Sequence, residues 1–276
     1  MLIISLIIYS LNLHWIVGYQ TIKKPTFNIG ILFDVSLSMT AKDIQPSRWE
    51  VARDTLVRLI DSLKWFNIFI VSYSGRAFVW SPITDNLKAL KIKLQMMQFK
   101  DFPPNPSFLG TAIGNAILLG IDNILRFVDE DVYPPGALIL ITDGDSNTGV
   151  DPIQAAQMAK QAGIKIYAIW IGAETLPIWK TAIWEEEIVG VNKELLQQIA
   201  QITSGDFVVA TSKQQLETFF DQLSQLLNQY SYYKEIKIPQ QFFLNQYLGW
   251  LILFLASILL LRDLAVFYRL RSIKSL

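Results

Sequence analysis

Ile29-Gly30-Ile31-Leu32-Phe33-Asp34-Val35-Ser36-Leu37-Ser38 is an apolar run of strand length that ends in a carboxylate, with two hydroxyls following at alternate positions. Such a run reads as a strand buried on both faces of a parallel sheet. Ligands of these sheets collect just beyond the carboxyl ends of the strands, where Asp34, Ser36 and Ser38 fall. Carboxylate plus hydroxyl is the hard-oxygen set that suits magnesium, manganese or calcium and not zinc. Alone, Asp-x-Ser-x-Ser is a weak signal, because Asp and Ser also turn chains and cap helices.

Outward from this stretch, strand-like runs alternate with helical patterns, the mark of a doubly wound α/β domain. Ser47 and Glu50 have capping-box spacing ahead of Trp49, Ala52, Leu56, Leu59, Ile60 and Leu63, which repeat with helical period. Asn67–Tyr73 reads as a second strand and Ala77–Trp80 as a hairpin partner at the sheet edge, followed by a helix from about Asn86 to Met97. After the stiff turn Pro103–Pro106 a helix is expected from Thr111, directly behind Gly110. Ala137-Leu138-Ile139-Leu140-Ile141-Thr142-Asp143-Gly144 then repeats the opening design, a buried strand with Asp at its end. Asp151-Pro152 starts a helix that Gly163 stops, and a strand follows over Lys165–Gly172. A helix over Asn192–Ser204, a strand over Asp206–Ala210 and an amphipathic helix over Lys213–Tyr230 complete the domain. The insertion Ala173–Val191 carries Trp179, Trp184 and the acidic run Glu185–Glu187. It reads either as a partner or membrane contact or as a local mini-core.

Composition narrows the chemistry. The 276 residues hold 24 Lys plus Arg against 24 Asp plus Glu, a balance that argues against a nucleic-acid binder with its basic face. With no cysteine, disulfides, zinc-thiolate sites and thiol nucleophiles are excluded. The one histidine, His14, lies in the apolar N-terminal stretch, so no Ser-His-Asp triad can form in the central domain.

Both ends differ from the middle. Residues 1–22 carry no formal charge and read either as a transmembrane segment or as a signal peptide or anchor, although a basic n-region and an Ala-x-Ala-like cleavage site are missing. A second uncharged stretch, centred on Tyr247–Leu255, gives an expected transmembrane helix over 242–261, since about 20 residues span the hydrocarbon core. Arg262, Arg269, Arg271 and Lys274 place the tail 262–276 in the cytoplasm by the positive-inside rule, while Lys23 and Lys24 argue mildly for the opposite sense. The expected layout is a domain over 27–230 outside the cytoplasm, a juxtamembrane linker over 231–241, and then the membrane helix.

If Asp34 and Asp143 end neighbouring strands where the strand order reverses, they face each other across the crevice. Ser36, Ser38 and Thr111 then supply neutral oxygens to the same point. Two carboxylates this close repel unless a cation lies between them. Oxygen groups from separate loops suit an octahedral Mg²⁺-type site with one position left for a partner.

Asp34-Val35-Ser36-Leu37-Ser38, Thr111 and Thr142-Asp143-Gly144 resemble the metal-ion-dependent adhesion site (MIDAS) of von Willebrand factor type A (VWA) domains. The wider text, Asp34–Met39, Lys42–Arg48, Gly110–Ala116 and Thr142–Gly149, is similar to the membrane-anchored bacterial Bat (aerotolerance) proteins. The likeness covers roughly Phe27 to Tyr230. It implies a Rossmann-like, mostly parallel doubly wound sheet, flanked by transmembrane helices and facing the periplasm from the bacterial inner membrane. It also implies a non-enzymatic protein-interaction module, with Mg²⁺ (Mn²⁺ or Ca²⁺ as alternatives) held by Asp34, Ser36, Ser38, Thr111 and Asp143. A partner's Asp or Glu would complete the metal, and other Bat proteins and a MoxR-type AAA+ ATPase are the implied associates. Leu37 and Leu109 stand where the family often has glycine. The alternative from another class is a Mg²⁺-dependent phosphotransferase-like hydrolase of haloacid-dehalogenase layout. That chemistry wants a second carboxylate two residues after the first, where this chain has Ser36.

Overall fold

The computed structural model describes residues 14–63, 65–102, 110–128, 135–144, 146–173, 193–230 and 233–273. The chain divides into two compact units, one over Lys24–Lys234 and the other formed by the segments on either side of it.

The larger unit is a six-stranded sheet with helices on both faces. Its elements are β2 (Phe27–Asp34), α1 (Arg48–Ser62), β3 (Phe66–Tyr73), β4 (Ala77–Thr84), α2 (Leu87–Met96), α3 (Ile113–Arg126), β5 (Gly136–Thr142), α4 (Pro152–Gln161), β6 (Lys165–Ile171), α5 (Lys193–Ile202), β7 (Phe207–Ala210) and α6 (Lys213–Asn228). The strand order is β4-β3-β2-β5-β6-β7, parallel throughout except for the antiparallel edge strand β4. This is the mostly parallel doubly wound sheet the alternation of patterns predicts.

Strand β2 is buried along its whole length because alternate residues serve opposite layers. Ile29, Ile31 and Phe33 pack with Leu56 and Ile60 of α1 and Leu216, Phe220 and Leu223 of α6. Leu32 faces the other way, with Ile113, Ile117 and Ile124 of α3 and Ala155 and Ala159 of α4. Gly30 is required at the centre: a Cβ there would stand 2.4 Å from the Phe69 ring and 2.6 Å from Leu138.

Local chemistry sets most helix ends. Ser47 caps α1 by accepting from the Glu50 amide, Asn86 caps α2, and Asp151 with Pro152 opens α4. Helix α3 begins at Ile113, two residues later than expected, because the Thr111 amide donates to the Asn147 side chain and leaves Thr111 in the loop. Pro103–Pro106, Leu109 and most of the 173–191 insertion lie outside the described residues.

In the smaller unit, β1 (His14–Pro25) pairs with β8 (Tyr233–Phe243), and α7 (Leu244–Ile273) follows. This departs from the sequence reading in two places. The second half of the stretch 1–22 is a strand and not a membrane helix, in keeping with its β-branched and aromatic Ile16, Val17, Tyr19, Thr21 and Ile22. Most of the linker 231–241 is the partner strand. The helix expected over 242–261 begins at Leu244 and continues through the basic tail to Ile273. Among the described residues no helix is long and apolar enough to cross a membrane.

Candidate metal centre

From β2 the chain moves to β3 on one side, and from β5 to β6 on the other, so strand order reverses between β2 and β5. Asp34 is the last residue of β2 and Asp143 follows the last residue of β5. Both therefore stand at the switch-point crevice where ligands of open α/β sheets bind. The Val35 amide donates to the Tyr73 carbonyl at 2.8 Å, which holds the chain against β3 as it leaves β2.

Six residues are linked by hydrogen bonds at the site: Asp34, Ser36, Ser38, Arg48, Thr142 and Asp143. Asp34 Oδ1 accepts from the Ser36 amide at 2.8 Å and its Oδ2 from the Thr142 hydroxyl at 2.6 Å. Asp143 Oδ1 accepts from the Ser38 hydroxyl at 2.7 Å and its Oδ2 from Arg48 Nη1 at 2.7 Å. The Ser36 and Ser38 hydroxyls are 3.0 Å apart and link the two carboxylates. Asp34, Asp143, Ser36 and Thr111 are buried, whereas Ser38 lies open at the surface, so the site has a buried floor and an exposed mouth.

Thr111 comes from a third loop and is fixed by Asn147 of the loop that carries Asp143. Its amide donates to Asn147 Oδ1 at 2.8 Å, and its carbonyl accepts from the Asn147 amide at 3.1 Å. The next amide, Ala112, donates to the Ser74 carbonyl at 2.7 Å. Gly110 has φ +97°, and a Cβ there would meet Asn147 Oδ1 at 2.6 Å, so glycine is needed before Thr111. Around Gly144 the space is open: the nearest atom to a Cβ placed there is Thr111 Oγ1, at 4.0 Å.

Burial and the Asp143 charge push Asp34 up from 3.8 to about 7, against hydrogen bonds from Ser36 and Thr142 that pull it down. Burial likewise raises Asp143, although Arg48 opposes it. Asp43 is held below the ordinary carboxylate range by its bonds to Arg48 and the Ala173 amide, which outweigh its own desolvation. Asp43 and Asp143 thus share the cationic side chain of Arg48, whereas Asp34 feels the charge of Asp143 and has hydrogen bonds from Ser36 and Thr142. Hard oxygen donors, an excess of negative charge and open space beside Thr111 fit a divalent cation.

All five residues singled out in the sequence, Asp34, Ser36, Ser38, Thr111 and Asp143, come to this one edge of the sheet. No group of three or more His, Cys, Asp or Glu that could by itself hold a metal ion occurs among the described residues, and hydroxyls make up most of this set. Leu37 is 71% exposed and turns away from the buried floor. Leu109 lies outside the described residues. Residue-type reasoning gave no role to Arg48, Asp43, Asn147 or Thr142, which hold the proposed ligands in place. The signal available for them was their position inside the stretches that carry the family resemblance.

A doubly wound sheet with hydroxyls and carboxylates gathered at its switch point defines the VWA class of domain. The profile of the von Willebrand factor type A domain matches residues 28–222, and the chain belongs to that family. Within it, the likeness is to Bat-type proteins. BatB from Bacteroides thetaiotaomicron superposes with a TM-score of 0.62 at 27% identity, covering 74% of this chain and 98% of that one. An aerotolerance-related membrane protein from Bacteroides fragilis shares the fold with a TM-score of 0.61 at 24% identity, over 74% of this chain and 99% of that one. A UPF0353 protein of Nocardia farcinica is 27% identical over 224 residues, 75% of this chain and 64% of the relative. The chain thus spans less than two thirds of that relative's length. The mussel byssus proximal thread matrix protein 1, solved with a zinc-occupied MIDAS motif, has the same fold with a TM-score of 0.54 at 18% identity, over 81% of this chain and 50% of that one.

Proposed function

We propose that this chain is a divalent-cation-dependent protein-interaction module, anchored to the bacterial inner membrane with its VWA domain on the extracytoplasmic side and its C-terminus in the cytoplasm. The observation that carries the first half is the pair of buried carboxylates at the switch point, joined by ordered hydroxyls that reach the surface at Ser38. Ser36, Ser38 and Thr111 would offer neutral oxygens to Mg²⁺, or to Mn²⁺ or Ca²⁺, while Asp34 and Asp143 would balance its charge, partly through water. Once bound, the ion supplies a coordination position for a carboxylate of the partner. The walls leave that approach open at Ser38, and Thr142 and Arg48 keep the two aspartates from swinging into it.

Support for the anchor comes from α7. Trp250, Leu251, Phe254, Leu255, Leu260 and Leu261 are all exposed large apolar side chains on one helix, a surface that water tolerates poorly. The Bat resemblance points to other Bat proteins and a MoxR-type AAA+ ATPase as associates in cell-envelope assembly or stress tolerance.

The test is a pull-down from membranes with and without chelator, using the wild-type chain and Asp34→Ala. Capture of a partner should need a divalent ion and should disappear in the variant; equal capture in chelator sinks the cation-dependent reading. Alkaline carbonate washing should leave the chain in the membrane fraction, and its release would remove the anchor.

A further inference from the structure

Arg48 opens α1 yet is 4% exposed, and its guanidinium lies between two carboxylates that belong to different loops. On one side Asp43 takes Nε at 2.8 and 3.0 Å and Nη2 at 2.6 Å. On the other, Nη1 reaches Asp143 Oδ2 at 2.7 Å, 95 positions along the chain. Asp43 is fixed in turn by the Ala173 amide at 2.7 Å, just past the end of β6. The slot is built for this group: a Cβ on Gly172 would stand 3.2 Å from Arg48 Cζ and 2.8 Å from the Trp170 ring. Trp170 also secures Asp143 from behind, its indole N–H donating to the Asp143 carbonyl at 3.2 Å.

We infer that Arg48, clamped by Asp43, is the positioning residue of the ion site and orders its hydroxyls through Asp143. The direction of every proton in the chain follows from the groups at its end. Guanidinium has donors only and an ionised carboxylate accepts only. With Oδ2 taken by Arg48, Asp143 presents Oδ1 to Ser38, whose proton is committed there. Ser36 must then donate across the 3.0 Å contact to Ser38. Both hydroxyls therefore keep lone pairs, and no proton, for a cation at the mouth of the site. Lysine cannot replace this arrangement, because a point charge does not bridge two carboxylates with fixed fork geometry.

The inference rests on the ion-site reading, and its test separates the two. Mn²⁺ binding to the purified full chain is followed by electron paramagnetic resonance, with thermal melts in chelator confirming that each variant is folded. A guanidinium acting only by its charge would repel the ion, so Arg48→Met would bind Mn²⁺ more tightly. The charge-conserving pair Asp43→Asn with Arg48→Met would then leave affinity unchanged. Positioning gives the opposite result: both variants bind about 10–100-fold more weakly, as is usual when support for metal ligands is removed. Arg48→Lys, which restores charge but not the fork, should fall between wild type and Arg48→Met. If the paired variant does not fold, Arg48→Lys decides alone, and wild-type affinity in it overturns the inference. Unchanged or tighter binding in a folded paired variant overturns it as well, leaving the ion site intact. Absence of Mn²⁺ binding to the wild type removes the ion site itself and this inference with it.

Discussion

At the end of β2, Asp34 is held by neutral donors alone, the Ser36 amide and the Thr142 hydroxyl, whereas one strand over Asp143 meets a guanidinium clamped by Asp43. Both carboxyl groups are buried and both are pushed toward their protonated forms. Only the second has a permanent counter-charge. Neutral hydrogen bonds leave a buried carboxylate free to respond to an arriving cation, while an ion pair commits it in advance. On the proposed reading, the Asp34 side would respond to the ion and the Asp143 side would hold the shape of the site.

The contrast breaks most visibly at Arg48. Arg48→Met leaves Asp43 and Asp143 buried without their partner and should cost about 3–5 kcal/mol in urea unfolding. Adding Asp43→Asn should recover part of that loss; a cost below about 1 kcal/mol would mean that Asp143 is not held by charge.

On the Asp34 side the handle is pH. In chelator the folded chain keeps a proton on Asp34 up to about pH 7, whereas an ordinary carboxylate loses it near 3.8. The stability this group adds is therefore complete below pH 4 and is lost as pH rises through 7, at about 1.4 kcal/mol per unit and a few kcal/mol in all. Thermal melts in chelator should fall across that window, and Asp34→Asn should flatten the slope; a profile unaltered by the substitution would place the titration elsewhere.

Divalent ions should remove the same penalty. Mg²⁺ or Mn²⁺ at 100 times its dissociation constant is expected to stabilise the fold by about 2.7 kcal/mol. Asp34→Ala should abolish that shift. The smallest effect belongs to Thr142→Val, which removes one neutral hydrogen bond at a cost of about 1 kcal/mol and, because that bond lowers Asp34, carries the fall in stability to higher pH at the same slope. An equal effect on Mn²⁺ affinity from Thr142→Val and Arg48→Met would erase the distinction between the two sides.

Much of this was legible along the chain. The buried strands β2 and β5 announce themselves as continuous apolar runs, and the caps at Ser47, Asn86 and Asp151 mark helix starts, because burial period and capping act over a few neighbours. The oxygen donors were legible only in combination, since each alone reads equally well as a turn or capping residue and their order on two strand ends and a helix start is what singles them out. Residues 14–22 read in sequence as part of the 1–22 membrane or signal stretch because uncharged β-branched runs satisfy both patterns, and only pairing with β8 separates them.

The supports of the site were not legible in the same way. Arg48 reads locally as a polar residue at a helix start, and Asn147 as a turn residue. Their roles exist because the order β3-β2-β5-β6 brings the ends of β2, β5 and β6 side by side. Residue types and their spacing are enough to name a doubly wound domain and the oxygens at its edge, for those depend on neighbours in the chain. Which charge holds which carboxylate depends on approach to within about 3 Å across loops far apart in sequence, and the folded sheet alone supplies that proximity.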